Sequence, residues 1–234
     1  MERFSRTALL LGEAAMEKLK KAHVAIFGIG GVGGYVCEAL ARSGVGSFTL
    51  VDSDRVAFSN INRQIIATEN NIGRYKTEAM KERILDIDPE AEVETAEVFY
   101  LPETADMFDF SRFSYVADAV DTVTAKLLII KNANAAGIPV ISSMGAGNRL
   151  DPTKITVSDI YDTAEDPLAR VMRRECRKRG IERLKVVCSS EKALEPREKI
   201  MNGEKQVPGS IAFVPSVAGL VLASEIIKDI INGN

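Results

Sequence analysis

The sequence predicts an α/β fold: a doubly wound, mostly parallel sheet with helices on both faces, followed by a C-terminal extension. Three observations predict it. The apolar run 23–27 ends in a glycine-rich turn, as a buried parallel strand that feeds a helix does. Small and apolar residues then recur at helical spacing over 31–43. The next apolar run, 48–51, ends at Asp52, so these segments form one βαβ unit of the Rossmann-like kind.

Strands and helices continue to alternate along the chain, which is the pattern that builds a parallel sheet. Helices are predicted over 76–87, 124–136 and 166–179 and from Pro215 or Ser216 onward, and strands over 93–98, 114–118, 138–142, 155–159 and 185–188. The segment 189–209 is polar and contains two prolines, so we predict a mobile loop there.

Composition and charge exclude several classes of protein. Hydrophobic residues make up 46% of the chain and charged residues 27%, as in ordinary globular proteins. The net charge of −3 gives no global attraction to nucleic acid or membrane, so any basic surface must be local. The most apolar stretch near the end, 217–231, carries three charged residues and is too short for a stable membrane span. The three isolated cysteines suit the reducing cytoplasm, and without a Cys-x-x-Cys pair no four-thiolate zinc site is expected.

The glycine loop 28–33 predicts a phosphate-binding turn. Gly28 permits a tight turn after the strand, Gly30 lets the backbone approach a phosphate, and Gly33 allows the helix to pack closely on the sheet. Free amides at the start of the helix then face the anion. Asp52 is placed to accept hydrogen bonds from ribose hydroxyls. A dehydrogenase uses the same loop and acid, so these residues do not distinguish ATP from NAD.

Charged residues further along the chain favour ATP. Arg63 and Lys76 supply cations for the β- and γ-phosphates, and the acids Asp118 and Asp121 follow the fourth strand, where a carboxylate can hold Mg²⁺. Taken singly, each cation is also explained as a solvated charge and each acid as a helix-entry residue. The ordered set favours a site that splits a triphosphate at its α-phosphorus, because hydride transfer to NAD has no evident use for these groups.

Together these motifs resemble the ThiF/MoeB/HesA family, the bacterial relatives of ubiquitin-activating enzymes. The resemblance rests on Gly28-Ile29-Gly30-Gly31-Val32-Gly33, Asp52-Ser53-Asp54, Asn60-Ile61-Asn62-Arg63-Gln64, Lys76 and Asp118-Ala119-Val120-Asp121. It covers residues 3–160 with specific motifs and the remainder more loosely. It implies an enzyme that binds ATP and Mg²⁺ and adenylates a carboxylate.

The resemblance also implies a role for each motif. The nucleotide site would consist of the glycine loop with Asp52, Asp54, Asn60, Arg63, Gln64, Lys76 and Asp121. Asp121 would organise Mg²⁺ and act in catalysis together with Arg63 and Lys76. The opening Arg3-Phe4-Ser5-Arg6 resembles a basic segment that reaches into the ATP site of a partner protomer, which implies a homodimer with Arg6 as a charge clamp.

Within this family, the sequence resembles the zinc-free branch, the tRNA threonylcarbamoyladenosine dehydratases. Members that activate sulfur-carrier proteins usually hold zinc with two Cys-x-x-Cys pairs, which are absent from this sequence. The segments that support the branch include Gly145-Ala146-Gly147, Asp151-Pro152-Thr153-Lys154-Ile155 and Asp166-Pro167-Leu168-Ala169. The branch implies a tRNA substrate whose threonyl carboxylate is adenylated and then cyclised with loss of AMP. The attacking nitrogen is already tethered, so no protein nucleophile is required.

On this basis we expect a single adenylating domain of the ThiF type over 1–234. It would contain an N-terminal helical segment (1–22), a nucleotide-binding core (23–147), and an extension (148–234) that faces the tRNA and the dimer partner. No zinc is expected. A monovalent cation in its place and a docking sulfur-transfer protein are both left open.

A basic segment supports an RNA substrate. Residues 170–185 contain eight cations against two acids, in an otherwise acidic chain. The candidate RNA-binding residues are Arg170, Arg173, Arg174, Arg177, Lys178 and Arg179. The alternative is a solvated helix face, and few aromatic residues interrupt the run to stack on bases.

Two further interpretations stay open. Cys188 ends a predicted strand and is either a catalytic thiol near the acyl-adenylate or a small buried packing residue. The function itself has three alternatives: a carrier-protein adenylyltransferase of the ThiF/MoeB kind, an NAD-dependent oxidoreductase and a non-enzymatic nucleotide sensor. The missing zinc cysteines and the basic helix disfavour the first. Arg63, Lys76 and Asp121 have no evident role in the second, and the presence of Arg63 and Asp121 disfavours the third.

Overall fold

A computed structural model describes residues 2–203 and 205–233, without the side chains of residues 202 and 205. Residues 1, 204 and 234, which the predicted domain includes, lie outside that description. The strands are β1 (His23–Phe27), β2 (Ser47–Val51), β3 (Glu92–Ala96), β4 (Tyr115–Asp118), β5 (Val140–Ser143), β6 (Ile155–Asp159), β7 (Lys185–Ser189), β8 (Met201–Asn202) and β9 (Lys205–Gln206). The α-helices are α1 (Ser5–Leu11), α2 (Glu13–Lys21), α3 (Gly33–Arg42), α4 (Lys76–Ile87), α5 (Val123–Ala136), α6 (Pro167–Lys178) and α7 (Phe213–Asn232).

The main sheet of the described chain has the strand order β3-β2-β1-β4-β5-β7-β6. Each neighbouring pair is parallel except β6 and β7, which are antiparallel. The chain builds outward from β1 to β3 and then crosses over to place β4 on the other side of β1. Ligands bind at such a switch point, outside the carboxyl ends of the strands. The predicted doubly wound, mostly parallel fold is confirmed.

Helices cover both faces of the sheet because the strands are apolar on both sides. Along β1, Val24 and Ile26 belong to a core shared with Leu40 of α3, whereas Phe27 packs with Ile129 of α5 on the opposite face. The side chains of successive strand residues alternate between faces, so one short run serves two cores. Every residue of β1 after His23 is buried.

The C-terminal part of the chain shares this sheet and this core. It contributes β6 and β7, and α7 packs along α3 through the buried Leu222 and Ile226. A Cβ atom at Gly219 would lie 2.4 Å from the carbonyl oxygen of Val32, so only glycine lets α7 approach the start of α3 this closely. The end of the chain therefore supports the glycine loop.

Several element boundaries differ from the prediction. The helix predicted from residue 31 begins at Gly33, because the preceding residues form the turn. The last helix begins at Phe213, before Pro215, since proline is tolerated in a first helical turn. The predicted loop 189–209 contains the short hairpin of β8 and β9. Within the described residues, no helix has the length and apolarity that crossing a bilayer requires.

Candidate nucleotide-binding and active site

A cavity of about 430 Å³ opens at the carboxyl ends of β1, β2 and β4. This volume falls in the range of small-molecule sites. Ten of the residues that the sequence predicts for the nucleotide site line it: Gly28, Gly30, Gly31, Asp52, Asp54, Asn60, Arg63, Gln64, Lys76 and Asp121. They come from the glycine loop, from the segment 52–76 and from the turn after β4, which the switch point of the sheet brings together.

The glycines of the loop have different physical roles. A Cβ atom at Gly33 would lie 1.8 Å from the carbonyl oxygen of Gly28, and one at Gly28 would lie 2.7 Å from that of Ala119. Gly28 also has φ +89°, a conformation that side chains disfavour. Gly30 has more room, since its nearest neighbour is the Gln64 amide nitrogen at 3.9 Å. Gly28 and Gly33 are therefore required by packing, whereas Gly30 leaves space for a ligand phosphate at the start of α3.

Asp52, Asp54 and Lys76 form a charged group beside the loop. Asp52 accepts hydrogen bonds from the Ile29 amide (2.7 Å) and the Asp54 amide (2.8 Å). The Lys76 ammonium lies 2.6 Å from Oδ2 of Asp54 and 3.9 Å from Oδ2 of Asp52, with its side chain only 7% exposed. Burial raises the pKa of Asp52, and the positive charge of Lys76 opposes that rise. The group fixes an acceptor for hydroxyls and a buried cation on the same wall.

A compact turn around Asn60 orients Arg63 and Gln64. The Asn60 carbonyl accepts hydrogen bonds from the Arg63 amide (3.1 Å) and the Gln64 amide (2.9 Å). The Arg63 guanidinium also donates to the Ser59 carbonyl at 2.8 Å. Gln64 is 6% exposed, and its Oε1 has no hydrogen-bond partner in the described part of the protein. A buried acceptor left unpaired beside a cavity fits a ligand that supplies the donor.

The two predicted acids after β4 have different surroundings. Asp118 is fully buried and pairs with the ammonium of Lys126 at 3.1 Å. Asp121 is exposed and lines the cavity. Within residues 2–203 and 205–233, no group of three His, Cys, Asp or Glu side chains is arranged to hold a metal ion. A single carboxylate nevertheless suits Mg²⁺, which keeps several waters and takes other oxygens from phosphates.

The sequence did not predict the apolar wall of the cavity. Val98, Phe99 and Tyr100 follow β3 and line the cavity together with Phe27 and Val51. Phe99 remains 51% exposed. Such a wall suits the flat face of a purine base. The sequence does contain a signal for this wall, the aromatic pair Phe99 and Tyr100 directly after the predicted strand 93–98. The strand itself ends earlier, at Ala96.

The polar loop also contributes to the cavity. Val207, Pro208 and Ser210 line it. Asn148 pairs with Gly209 on both sides: its amide donates to the Gly209 carbonyl (2.7 Å), and its Oδ1 accepts from the Gly209 amide (2.6 Å). Asn62 donates to the Ser210 carbonyl at 3.0 Å. Sequence reasoning described this segment only as a loop, because pairing between residues 61 apart leaves no local pattern.

Two predicted catalytic residues do not line this cavity. Arg6 is exposed on α1, and Cys188 is buried on β7 among Met172, Cys176 and Leu184. Burial raises the pKa of the Cys188 thiol, which disfavours the thiolate. The position of Cys188 matches the packing alternative, and its catalytic role stays an untested prediction.

The basic helix α6 has one apolar and one cationic face. Ala169, Met172 and Cys176 are buried. The cations on the other face are exposed, except for Arg173, which is half-buried and donates to the Thr163 carbonyl at 2.7 Å. The exposed cations are Arg170, Arg174, Arg177, Lys178 and, directly after the helix, Arg179.

Glu175 neutralises part of this face. It pairs with Arg174 at 3.2 Å, Lys178 at 3.0 Å and Arg179 at 2.6 Å. Hydrogen bonds from Arg179 above all, and from Lys178, lower the pKa of Glu175 to about 2. Arg177 lies instead over the Tyr161 ring, 5.2 Å from its centroid. Among the described residues, the exposed cations of this face that have no carboxylate partner are therefore Arg170 and Arg177.

A glycine loop at the start of a helix, a buried cation and an exposed carboxylate at one switch point define a nucleotide-binding protein of the doubly wound α/β class. The chain belongs to the ThiF family, whose model matches residues 4–234. The predicted resemblance is thereby confirmed.

The relatives extend the comparison over nearly the whole chain. The sequence is 42% identical over 242 residues to a tRNA threonylcarbamoyladenosine dehydratase of Bacillus subtilis (strain 168), covering 99% of this chain and 95% of the relative. The crystal structure of E. coli tRNA N6-threonylcarbamoyladenosine dehydratase, TcdA, in complex with ATP superposes with a TM-score of 0.90 at 35% identity, covering 99% of this chain and 94% of that one. The adenylyltransferase and sulfurtransferase UBA4 of Saccharomyces cerevisiae (strain YJM789) is 31% identical over 150 residues, covering 64% of this chain and 34% of the relative.

Proposed function

We propose that this protein is an ATP-dependent tRNA threonylcarbamoyladenosine dehydratase that adenylates the threonyl carboxylate of the modified adenosine and cyclises it. The observation that carries the proposal is the near full-length match to the Bacillus subtilis dehydratase. The carrier-activating relative matches over a smaller share of both chains. Incubation with ATP, Mg²⁺ and tRNA bearing threonylcarbamoyladenosine, followed by mass spectrometry of the nucleosides, tests this function.

The residues that line the cavity support a specific placement of ATP in it. The wall of Phe99 and Tyr100 would take the adenine, and Asp52 would accept hydrogen bonds from the ribose. The α-phosphate would lie at Gly30 and the start of α3, where free amides and the helix dipole favour an anion. Arg63 and Lys76 would hold the β- and γ-phosphates. Asp54 keeps Lys76 in place at 2.6 Å, so the nucleotide meets a preorganised cation.

Chemistry in this site divides into two steps. A carboxylate oxygen of the substrate attacks the α-phosphorus, and the bond to pyrophosphate breaks. Arg63 and Lys76 stabilise the charge that develops on the departing phosphates. The tethered nitrogen of the substrate then attacks the acyl carbon, loses its proton and expels AMP, which keeps one carboxylate oxygen. The nucleoside thereby loses the elements of water without a protein nucleophile.

Asp121 fits the carboxylate that a magnesium nucleotide requires, because it is exposed at the cavity and a single carboxylate suffices. Bound Mg²⁺ would neutralise charge on the phosphates. We further propose a cytoplasmic homodimer in which Arg6 of one protomer enters the site of the other. A monovalent cation and a sulfur-transfer partner, which the sequence leaves open, form no part of this proposal.

We also propose that α6 binds the phosphate backbone of the tRNA. Its exposed face carries Arg170 and Arg177 two turns apart, and its first residue follows Asp166, which accepts a hydrogen bond from the Gly145 amide at 2.9 Å. Gly145 directly precedes Ala146, which lines the cavity. The start of α6 therefore lies near the cavity, and we propose that its cationic face contacts nucleotides next to the one bound in the site.

Replacing Arg170 and Arg177 together by alanine is expected to weaken tRNA binding about tenfold and to reduce the slope of log affinity against log salt by about two, since each phosphate contact contributes about one. Filter binding across a salt series measures both quantities. The matched control replaces Lys20 and Lys21 of α2, which removes the same charge elsewhere. Equal weakening in both double variants would show a general charge effect and contradict the assignment.

A further inference from the structure

A buried lysine that the proposed chemistry does not use lies beneath the active site. Lys126 of α5 is fully buried. Its ammonium donates to the Ser143 carbonyl at 2.7 Å, to Oδ2 of Asp118 at 3.1 Å and to the Ser142 hydroxyl at 3.3 Å. The Ser142 hydroxyl in turn donates to Oδ2 of Asp118 at 2.5 Å. One ammonium thus joins the ends of β4 and β5 to α5.

The network continues into the wall of the cavity. The other carboxylate oxygen of Asp118 accepts a hydrogen bond from the Val120 amide at 3.2 Å. The Ala119 amide donates to the Phe27 carbonyl at 2.8 Å, just before the glycine loop. These two bonds hold the turn 119–122, and all four of its residues line the cavity. The Asp118 carboxylate is therefore the direct link between Lys126 and that turn.

The free energy of such a pair does not explain its presence. Removing two charges from water costs more than their attraction returns unless the geometry is very good, and apolar side chains of similar volume are often at least as stable. A fully satisfied buried network instead fixes one arrangement of the groups that it joins. The Thr122 hydroxyl is buried and has no partner in the described part of the chain, so the turn holds a polar atom that the protein itself leaves unpaired.

We propose that Lys126 is a positioning residue for the adenylation reaction: through Asp118 and Ser142 it sets the turn 119–122, and with it Asp121, against the bound nucleotide. The inference rests on the proposed use of ATP. Lys126 touches neither nucleotide nor substrate. Its effect passes through the backbone of the turn, where a shift of about 1 Å is enough to cost about a hundredfold in rate.

The test compares a single and a double variant. Lys126→Met leaves the Asp118 charge buried and unpaired, so we expect a lower Tm, weaker ATP binding by calorimetry and a kcat about a hundredfold lower. Asp118→Asn with Lys126→Met removes both charges. If Lys126 positions the turn, this double variant regains Tm while ATP affinity and kcat stay low. Recovery of all three would show that Lys126 only neutralises Asp118, and would overturn the proposal.

A second buried network serves as the control for loss of stability alone. Asp229 accepts hydrogen bonds from Tyr115 (2.6 Å) and Lys185 (2.7 Å). None of these three residues lines the cavity. Asp229→Asn is expected to lower Tm with unchanged ATP affinity and kcat per folded molecule. If neither Lys126 variant folds, Ser142→Ala removes one link without exposing a charge. Weaker ATP binding in that variant supports the proposal, and unchanged binding overturns it.

Failure of the proposed function has a different signature. If the wild-type protein binds no ATP, the proposed function itself is wrong. If the wild type binds ATP and the Asp118→Asn, Lys126→Met double variant recovers Tm, ATP affinity and kcat, only the role of Lys126 is wrong.

Discussion

Asp121→Ala is expected to lower tRNA-dependent ATP–pyrophosphate exchange by about a thousandfold while leaving the fold intact. The substitution removes the carboxylate that would hold Mg²⁺, and the metal would otherwise neutralise the charge that develops on the phosphates. Asp121 is exposed, so its removal creates no cavity and no unpaired buried group. Exchange of labelled pyrophosphate into ATP, with tRNA bearing threonylcarbamoyladenosine present, measures the first adenylation step alone. Thermal unfolding shows whether the fold is retained.

The control for Asp121→Ala is another exposed aspartate outside the cavity. Asp162→Ala removes the same charge from a turn before α6 and is expected to leave exchange unchanged. If Asp121→Ala exchanged pyrophosphate at close to the wild-type rate over a range of Mg²⁺ concentrations, the assignment of Asp121 to the metal would be wrong.

Arg6→Ala is expected to be about a hundredfold less active on its own, yet to recover when mixed with Asp121→Ala. Arg6 is exposed on α1 and does not line the cavity of its own protomer. If it acts in the partner's site, a mixed dimer holds one complete site, formed by the intact Asp121 of one subunit and the intact Arg6 of the other. Random re-association of equal amounts then restores about a quarter of the wild-type activity.

The control for that mixture uses a subunit that carries both substitutions. Mixing Arg6→Ala with the Arg6→Ala, Asp121→Ala double variant yields no dimer with a complete site, so no recovery is expected. Differently tagged subunits show by co-purification that mixed dimers have formed. Mixed dimers without recovery of activity would contradict a shared site.

The sequence predicted the parts of the site that are encoded by patterns of neighbouring residues. The strand, glycine turn, helix and acid between residues 23 and 52 follow one another within a single βαβ unit, and each has its own pattern. The helix over 76–87 was predicted with both boundaries correct, because Asp88-Pro89 marks its end. The order of the charged residues Arg63, Lys76 and Asp121, together with the family resemblance, predicted that they share one site, and the structure brings them to one cavity.

The parts that the sequence did not predict depend on long-range contacts. The polar loop contributes Val207, Pro208 and Ser210 to the cavity. Its Gly209 is held there by pairing with Asn148, which is 61 residues away in the sequence. In the sequence, Lys126 is indistinguishable from a lysine on the exposed face of a helix. Only the fold, which packs α5 against the ends of β4 and β5, shows that it is buried. In the sequence, the cations of the basic segment cannot be told apart. In the fold, Arg173 donates a hydrogen bond to Thr163, and Glu175 pairs with three of the other cations.

The most direct test of the central claim is the mass of the modified nucleoside after incubation with ATP, Mg²⁺ and tRNA bearing threonylcarbamoyladenosine. The wild-type protein is expected to remove one water from that nucleoside and to release one AMP for each conversion, whereas Asp121→Ala leaves the nucleoside unchanged. The dehydratase function would be contradicted if the wild-type protein bound ATP but left the nucleoside unchanged, and released AMP with a carrier protein that ends in Gly-Gly.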